Sequence, residues 1–171
     1  LLSSFDGMIW LQSGKKVGAL FDQHQTTISR NQKKCAQVFG IKLQKISSCW
    51  QPQEDSLLLQ LERKVHQLAR LQGKSNLRLD ANRWLDSSLF DPPPPGWLIS
   101  SANNISDPHS LECLQQRIVD LCLCPLTDLP VETELLKRIE LNSKREIGVV
   151  LLQEHANQER ILALINMLEQ A

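Results

Sequence analysis

Residues 25–34, Gln25-Thr26-Thr27-Ile28-Ser29-Arg30-Asn31-Gln32-Lys33-Lys34, crowd amide, hydroxyl and cationic side chains into ten positions. On one helix that set suits a nucleic acid. Gln25 can pair in the plane of an adenine, and Arg30 can reach a guanine edge or a phosphate. Thr26, Thr27 and Ser29 can hold phosphate oxygens, while Lys33 and Lys34 attract the backbone whatever its sequence. The bland counterpart is a solvated helix face. Other chemistries find less support. The four histidines are scattered, none standing in a Ser/His/Asp or Cys/His arrangement, and there is no glycine-rich phosphate loop, so no catalytic residue is named. Cys122 and Cys124 alternate and would share one face of a strand, but no Cys-x-x-Cys or paired-His spacing supplies further metal ligands. They read as buried thiols, Cys35 as a small core residue, and Cys49 and Cys113 only loosely as redox sensors. No metal and no cofactor is expected.

The elements that must position the polar stretch follow from apolar spacing. Residues 1–12 place Leu1, Leu2, Phe5, Met8, Ile9 and Leu11 near helical period, and Ser13-Gly14 reads as the stop. Val17, Leu20 and Phe21 make a short second helix. A third carries Ile28, Cys35, Val38 and Phe39 on its inner side, ends at Gly40, and is followed by an extended Ile41-Lys42-Leu43. Three short helices with tight turns predict a helix-turn-helix. Trp10 and Trp50 are expected to pack this unit together. Lys15 and Lys16 precede the second helix, either near a nucleic-acid backbone or solvated. Gln51-Pro52-Gln53-Glu54-Asp55 resembles a helix start, and residues 56–72 form the longest predicted helix. Its Leu58, Leu61, Val65 and Leu68 step by three, four and three residues, a heptad seam widened by Leu57 and Leu71, which predicts pairing of two chains.

Beyond residue 75 the pattern changes. Leu77-Arg78-Leu79 opens a strand, the four prolines at 92–95 make a stiff loop, and residues 97–101 form a second strand. Asp107-Pro108 starts a helix with Leu111, Leu114 and Ile118 inward. Residues 119–126, apolar apart from Asp120, and 147–152 read as buried strands. Residues 131–141 read equally as extended chain or short helix. A closing helix from about Asn157 buries Ile161, Leu164, Ile165 and Leu168, completing a small α/β layer.

Composition agrees with a folded chain: 171 residues, 42% hydrophobic and 22% charged, can build a core. The longest apolar stretch, 147–152, is far below the ~18 residues of a membrane span, and the start lacks the features of a secretory signal. Five cysteines at irregular spacing do not describe a disulfide framework, so a reducing cytoplasm is expected. The zero net charge conceals an asymmetry. Residues 1–75 hold 11 Lys and Arg against 5 Asp and Glu, and residues 76–171 hold 8 against 14. A basic first half can approach an anionic polymer that the acidic half repels.

From Val17 to Leu43 the order of residue types resembles the DNA-binding domain of LysR-type transcriptional regulators. Val17-Gly18-Ala19-Leu20-Phe21 stands in that family's second helix. His24-Gln25-Thr26-Thr27-Ile28-Ser29-Arg30 falls in register with its third, and Phe39, Gly40 and Leu43 continue the register. Residues 56–72 stand where the family has its linker helix, and residues 114–126 are similar to its helix-to-strand passage. There are departures: His24 replaces the usual serine cap, Thr26 the following proline, and Gln32 an apolar residue. Cys49 and Trp50 stand where basic turn residues belong, leaving Lys42 and Lys45 as a reduced wing. About 96 residues follow the linker, against an effector region of two subdomains in the family.

The resemblance implies a shortened LysR-like protein of α+β class. A winged helix-turn-helix spans 1–50, a linker and dimerisation helix 51–74, and an effector-like α/β region of about one subdomain 75–171. It implies a sequence-specific transcription regulator without a complete inducer cleft, whose partners are double-stranded DNA and itself, as homodimer or tetramer, with a further regulatory protein as another candidate. The alternative is an interaction protein that no longer binds DNA and pairs with a full-length relative or docks another protein.

Overall fold

A computed structural model describes residues 1–54, 56–82, 87–102 and 107–170. Asp55, one of the two acids in the expected helix start, lies outside these residues. Three helices come first: α1 (Leu2–Leu11), α2 (Gly14–Leu20) and α3 (Gln25–Phe39). A two-stranded hairpin follows, β1 (Leu43–Ile46) and β2 (Cys49–Pro52), and then the long helix α4 (Leu57–Leu71). The remainder is β3 (Leu77–Asn82), β4 (Trp97–Ala102), α5 (Asp107–Gln115), β5 (Leu121–Pro125), β6 (Leu136–Glu140), β7 (Ile147–Leu152) and α6 (Glu159–Gln170). The five strands form one mixed sheet in the order β4-β3-β5-β7-β6. β3 is parallel to both β4 and β5, and β7 is antiparallel to both β5 and β6.

Strand alternation divides the core in two. Leu121 and Leu123 of β5 and Ile147, Val149 and Leu151 of β7 face α6, which contributes Ile161, Leu164, Ile165 and Leu168. Their alternates, Cys122, Val150 and Leu152, face the other way, into a cluster with Leu114 of α5 and Phe5, Ile9 and Trp10 of α1. Cys124 packs against that same cluster, so the two alternating thiols do share one face. α1 is therefore an interior helix: Ser4, Asp6 and Gly7 are buried along with its apolar residues. The N-terminal helices thus share a cluster with one face of the sheet, while α6 covers the other face.

Several expectations change in detail. Gly14 does not stop α1. Gln12 takes the left-handed conformation (φ 57°), and Ser13 caps α2 by accepting from the Lys16 N–H. Pro52 lies in β2, and the residue that starts α4 is Ser56, whose hydroxyl accepts from the Leu59 N–H. Val38 is 65% exposed rather than inward, since only Ile28 and Cys35 of α3 are fully buried. Leu71 does not widen the seam; it belongs to the α6-side core. The ambiguous residues 131–141 contain β6, an edge strand that the mixed polarity of Lys137, Arg138 and Glu140 conceals.

A buried polar network holds α4 to this body. Asp120 accepts two parallel bonds from Arg70 (Nε to Oδ2, 2.8 Å; Nη2 to Oδ1, 2.9 Å), one from Gln67 Nε2 (3.1 Å), and one from the Arg78 backbone N–H (2.9 Å). Arg117 Nη1 donates to Gln67 Oε1 (2.7 Å) and pairs with Glu154 (2.6 Å). His155, whose pKa burial lowers, sits 3.0 Å from the same Gln67 oxygen. Arg63 reaches the other way, to Asp6 of α1 (2.7 Å) and Gln116 (3.1 Å). A carboxylate with four donors is compensated for its burial; one with none is not.

Asp80 is far less compensated, its Oδ1 having no hydrogen-bond partner. It lies buried in β3 beside Trp10, Ser110 and His109, and burial raises its pKa, opposed by the Ser110 and Trp10 side chains. The folded chain therefore holds a proton that the unfolded chain releases near pH 4. That contribution is complete at low pH and is lost as pH rises through the raised value. Asp80→Asn, always neutral, escapes the loss. Its urea midpoint should rise relative to wild type as pH increases above the ordinary carboxylate range of about 4; parallel pH profiles would contradict this account of Asp80.

Candidate nucleic-acid interface

The α2–α3 pair is set by small and apolar residues. Val17 and Ile28 are fully buried, and the chain turns between the helices over residues 21–24. The turn folds back on Gly18, whose carbonyl accepts from the Gln23 N–H at 2.8 Å; a Cβ at that position would lie 2.6 Å from the Gln23 oxygen. Only glycine fits there. At the far end Gly40 (φ 65°) closes α3, and buried Ile41 anchors the departing chain, its N–H bonding to the Ala36 carbonyl.

With Ile28 and Cys35 held inside, α3 turns its opposite side to solvent. Gln25, Thr26, Ser29, Arg30, Lys33 and Lys34 are exposed and Thr27 is half-buried, so all seven predicted residues share one helix and one broad face. Gln25 also lays its side chain against Gly14. His24 occupies the cap position by backbone only; its side chain makes no capping bond. Lys15 and Lys16 on α2 and Lys42 and Lys45 beside and on β1 are exposed too. Among the described residues none of these cations pairs with a carboxylate. The result is a positive surface available to an anion.

The hairpin beside it is pinned by a residue the sequence reading passed over. β1 and β2 pair from Leu43↔Pro52 to Ile46↔Cys49, closed by Ser47 and Ser48, both at positive φ, as a two-residue hairpin turn requires. The Gln12 amide then grips β2: its oxygen accepts the Trp50 N–H, and its nitrogen donates to the Trp50 carbonyl (3.1 Å). A side-chain amide mimicking a strand partner leaves no signature in sequence. Trp10 is buried in the core and Trp50 packs against it, so both tryptophans pack the unit.

α4 is amphipathic in the reverse sense. Its apolar stripe lies outward, with Leu58 58%, Leu61 53%, Val65 61% and Leu68 42% exposed. Arg63, Gln67 and Arg70 point inward, each no more than 3% exposed. The i, i+4, i+7 spacing of those three polar residues was the available signal; on a helix read alone they look like its solvent face. Cys113 is fully buried, 3.6 Å from His109 Nε2, and burial raises its thiol pKa, so it does not form the exposed thiolate a redox sensor uses. Among the described residues no group of three or more His, Cys, Asp or Glu is placed to hold a metal ion, and no helix is long and apolar enough to cross a membrane.

No protein-family model matches this chain, and no curated protein matches it. Solved structures do. A full-length OxyR from Pseudomonas aeruginosa is 13% identical, with a TM-score of 0.39 over 81% of this chain and 52% of that one. LysG from Corynebacterium glutamicum is 17% identical, with a TM-score of 0.30 over 82% and 52%. CrgA, a LysR-type transcriptional regulator from Neisseria meningitidis, is 14% identical, with a TM-score of 0.29 over the same shares. The chain thus spans about half the length of each. The solved structures to which it is similar are LysR-type transcriptional regulators.

Proposed function

We propose that this chain is a DNA-binding transcription regulator that works as a dimer. Its segments are a winged helix-turn-helix over 1–50, a pairing helix over 51–74 and an α/β regulatory body over 75–171. The observation that carries the reading is α3: a helix anchored on one side by Ile28 and Cys35 and displaying Gln25, Thr26, Ser29, Arg30, Lys33 and Lys34 on the other. In the major groove, Gln25 and Arg30 read base edges, Thr26, Thr27 and Ser29 take phosphate oxygens, and Lys33 and Lys34 supply attraction without sequence. The hairpin with Lys42 and Lys45 flanks the same duplex.

Pairing is assigned to the outward stripe of α4. Burying what remains exposed of each seam side chain contributes on the order of 1 kcal/mol. Four from each of two chains then reach about 8 kcal/mol, from which association takes at least about 4 kcal/mol, leaving the free energy of a roughly millimolar complex. The seam alone makes a modest dimer, and two half-sites on one duplex strengthen it by holding both chains together. The acidic body keeps off the phosphates and meets other subunits or proteins.

Two outcomes test this. Selection from a random duplex library should recover a roughly palindromic site, bound with a steep salt slope of about −0.9 per phosphate neutralised. Arg30→Ala should weaken that site by about 1–3 kcal/mol. No enrichment and no binding at low salt would abandon DNA in favour of a protein partner at α4. Separately, the sedimenting mass of wild type should rise with concentration from 19.4 kDa toward twice that value, while Leu61→Asp stays at the single-chain mass throughout. A variant mass that rises as that of wild type does would remove α4 as the seam.

A further inference from the structure

We infer that the helices bearing α3 have no folding equilibrium of their own: they and the sheet open as one unit, so whatever stabilises or loosens the sheet sets the population of chains able to present α3. α1 carries this coupling. It is buried between α3 on one side and α5 with the sheet on the other, and detaching it would uncover Phe5, Ile9 and Trp10 together with Leu114, Ile118 and Val150. Such a separation exposes apolar surface on both parts at once.

Polar ties cross the same boundary. Arg63 of α4 holds Asp6 of α1 through both Nε (2.8 Å) and Nη2 (2.7 Å), and Gln116 beyond α5 through Nη1 (3.1 Å). Both ions are about 2% exposed, so separation would break a buried charge pair. Arg78 of β3 donates to the Ser3 hydroxyl (3.2 Å) and the Ile118 carbonyl (3.0 Å) and lies 5.3 Å from the centre of the Phe21 ring beside α2. The His109 ring bonds the Ile9 carbonyl at 2.9 Å. α2, α1, α4, α5 and β3 are thereby joined through contacts centred on the buried Asp6, Arg63, Arg78 and His109.

The coupling does not depend on DNA binding, and its test does not use DNA. Ile161→Val lies in the α6-side core, which holds no residue of α1, α2 or α3, and Ile28→Val lies in α3. Both are mild enough to leave the chain folded. In native-state hydrogen exchange of the full chain, Ile161→Val should speed the slowest amides of α1 and α3 by the same factor as those of β3, β5 and β7, about two- to tenfold. Ile28→Val should reciprocally speed the slowest amides of the sheet. Faster exchange confined in each variant to the part bearing the substitution would overturn the inference.

Discussion

Asp120 is the constraint on which the arrangement depends. A carboxylate at the entrance to a central strand is costly to bury, and here it receives Arg70 through two bonds, Gln67, and the Arg78 N–H at the start of β3. Those donors come from α4 and β3, so satisfying one charge fixes how the long helix lies against the sheet. The remaining polar groups extend the same logic. Gln67 is held in turn by Arg117 and His155, while Arg160 donates to the Arg70, Ser75 and Gly96 carbonyls and closes the path from α4 into β3. Buried ionic groups of this kind contribute little net stability, but removing one partner is expensive, so they select one packing over others.

That packing explains why the leucines of α4 are outside. With Arg63, Gln67 and Arg70 committed inward, Leu58, Leu61, Val65 and Leu68 are left facing out from the described residues. It is this outward stripe that the proposed pairing with a second copy of α4 would cover. The same commitment ties α1 to the body through Arg63 and Asp6, and α1 is the platform on which α2 and α3 stand. The polar face of α3, the outward apolar stripe of α4 and the sheet are then held together by a single arrangement of buried charge.

Much of this was legible in the residues, for physical reasons that differ by element. β5, β7 and α6 were clear because a strand buried on both faces and a helix with one apolar side leave strong periodic signals. α3 was clear because its apolar positions are few and its polar ones share an arc. The α4 seam was visible as a heptad, but periodicity cannot say which side of a helix meets its own chain. Leu71 went to the core because it stands four residues after Gln67, on the inward arc of α4. β6 stayed ambiguous because an edge strand alternates poorly. Least legible were the long-range polar ties. Asp120 stood out as the lone acid in an apolar run, yet its partners lie 42 to 53 positions away in the chain, and no local pattern announces them. Gln12, acting through its side chain on a strand 38 residues distant, is of the same kind.

The most direct measurement is a double-mutant cycle on Arg70 and Asp120, with Arg70→Met, Asp120→Asn and the pair compared by urea unfolding at low and high salt. If the buried carboxylate holds α4 by its polar face, the two losses are strongly non-additive. The coupling should be about 2 kcal/mol or more and should persist in high salt, because water and ions do not reach the pair. Additive losses, or a coupling that salt abolishes as it does for an exposed pair, would mean that α4 does not lie on the sheet by Arg63, Gln67 and Arg70, and the assignment of its leucine stripe to a second chain would fall with it.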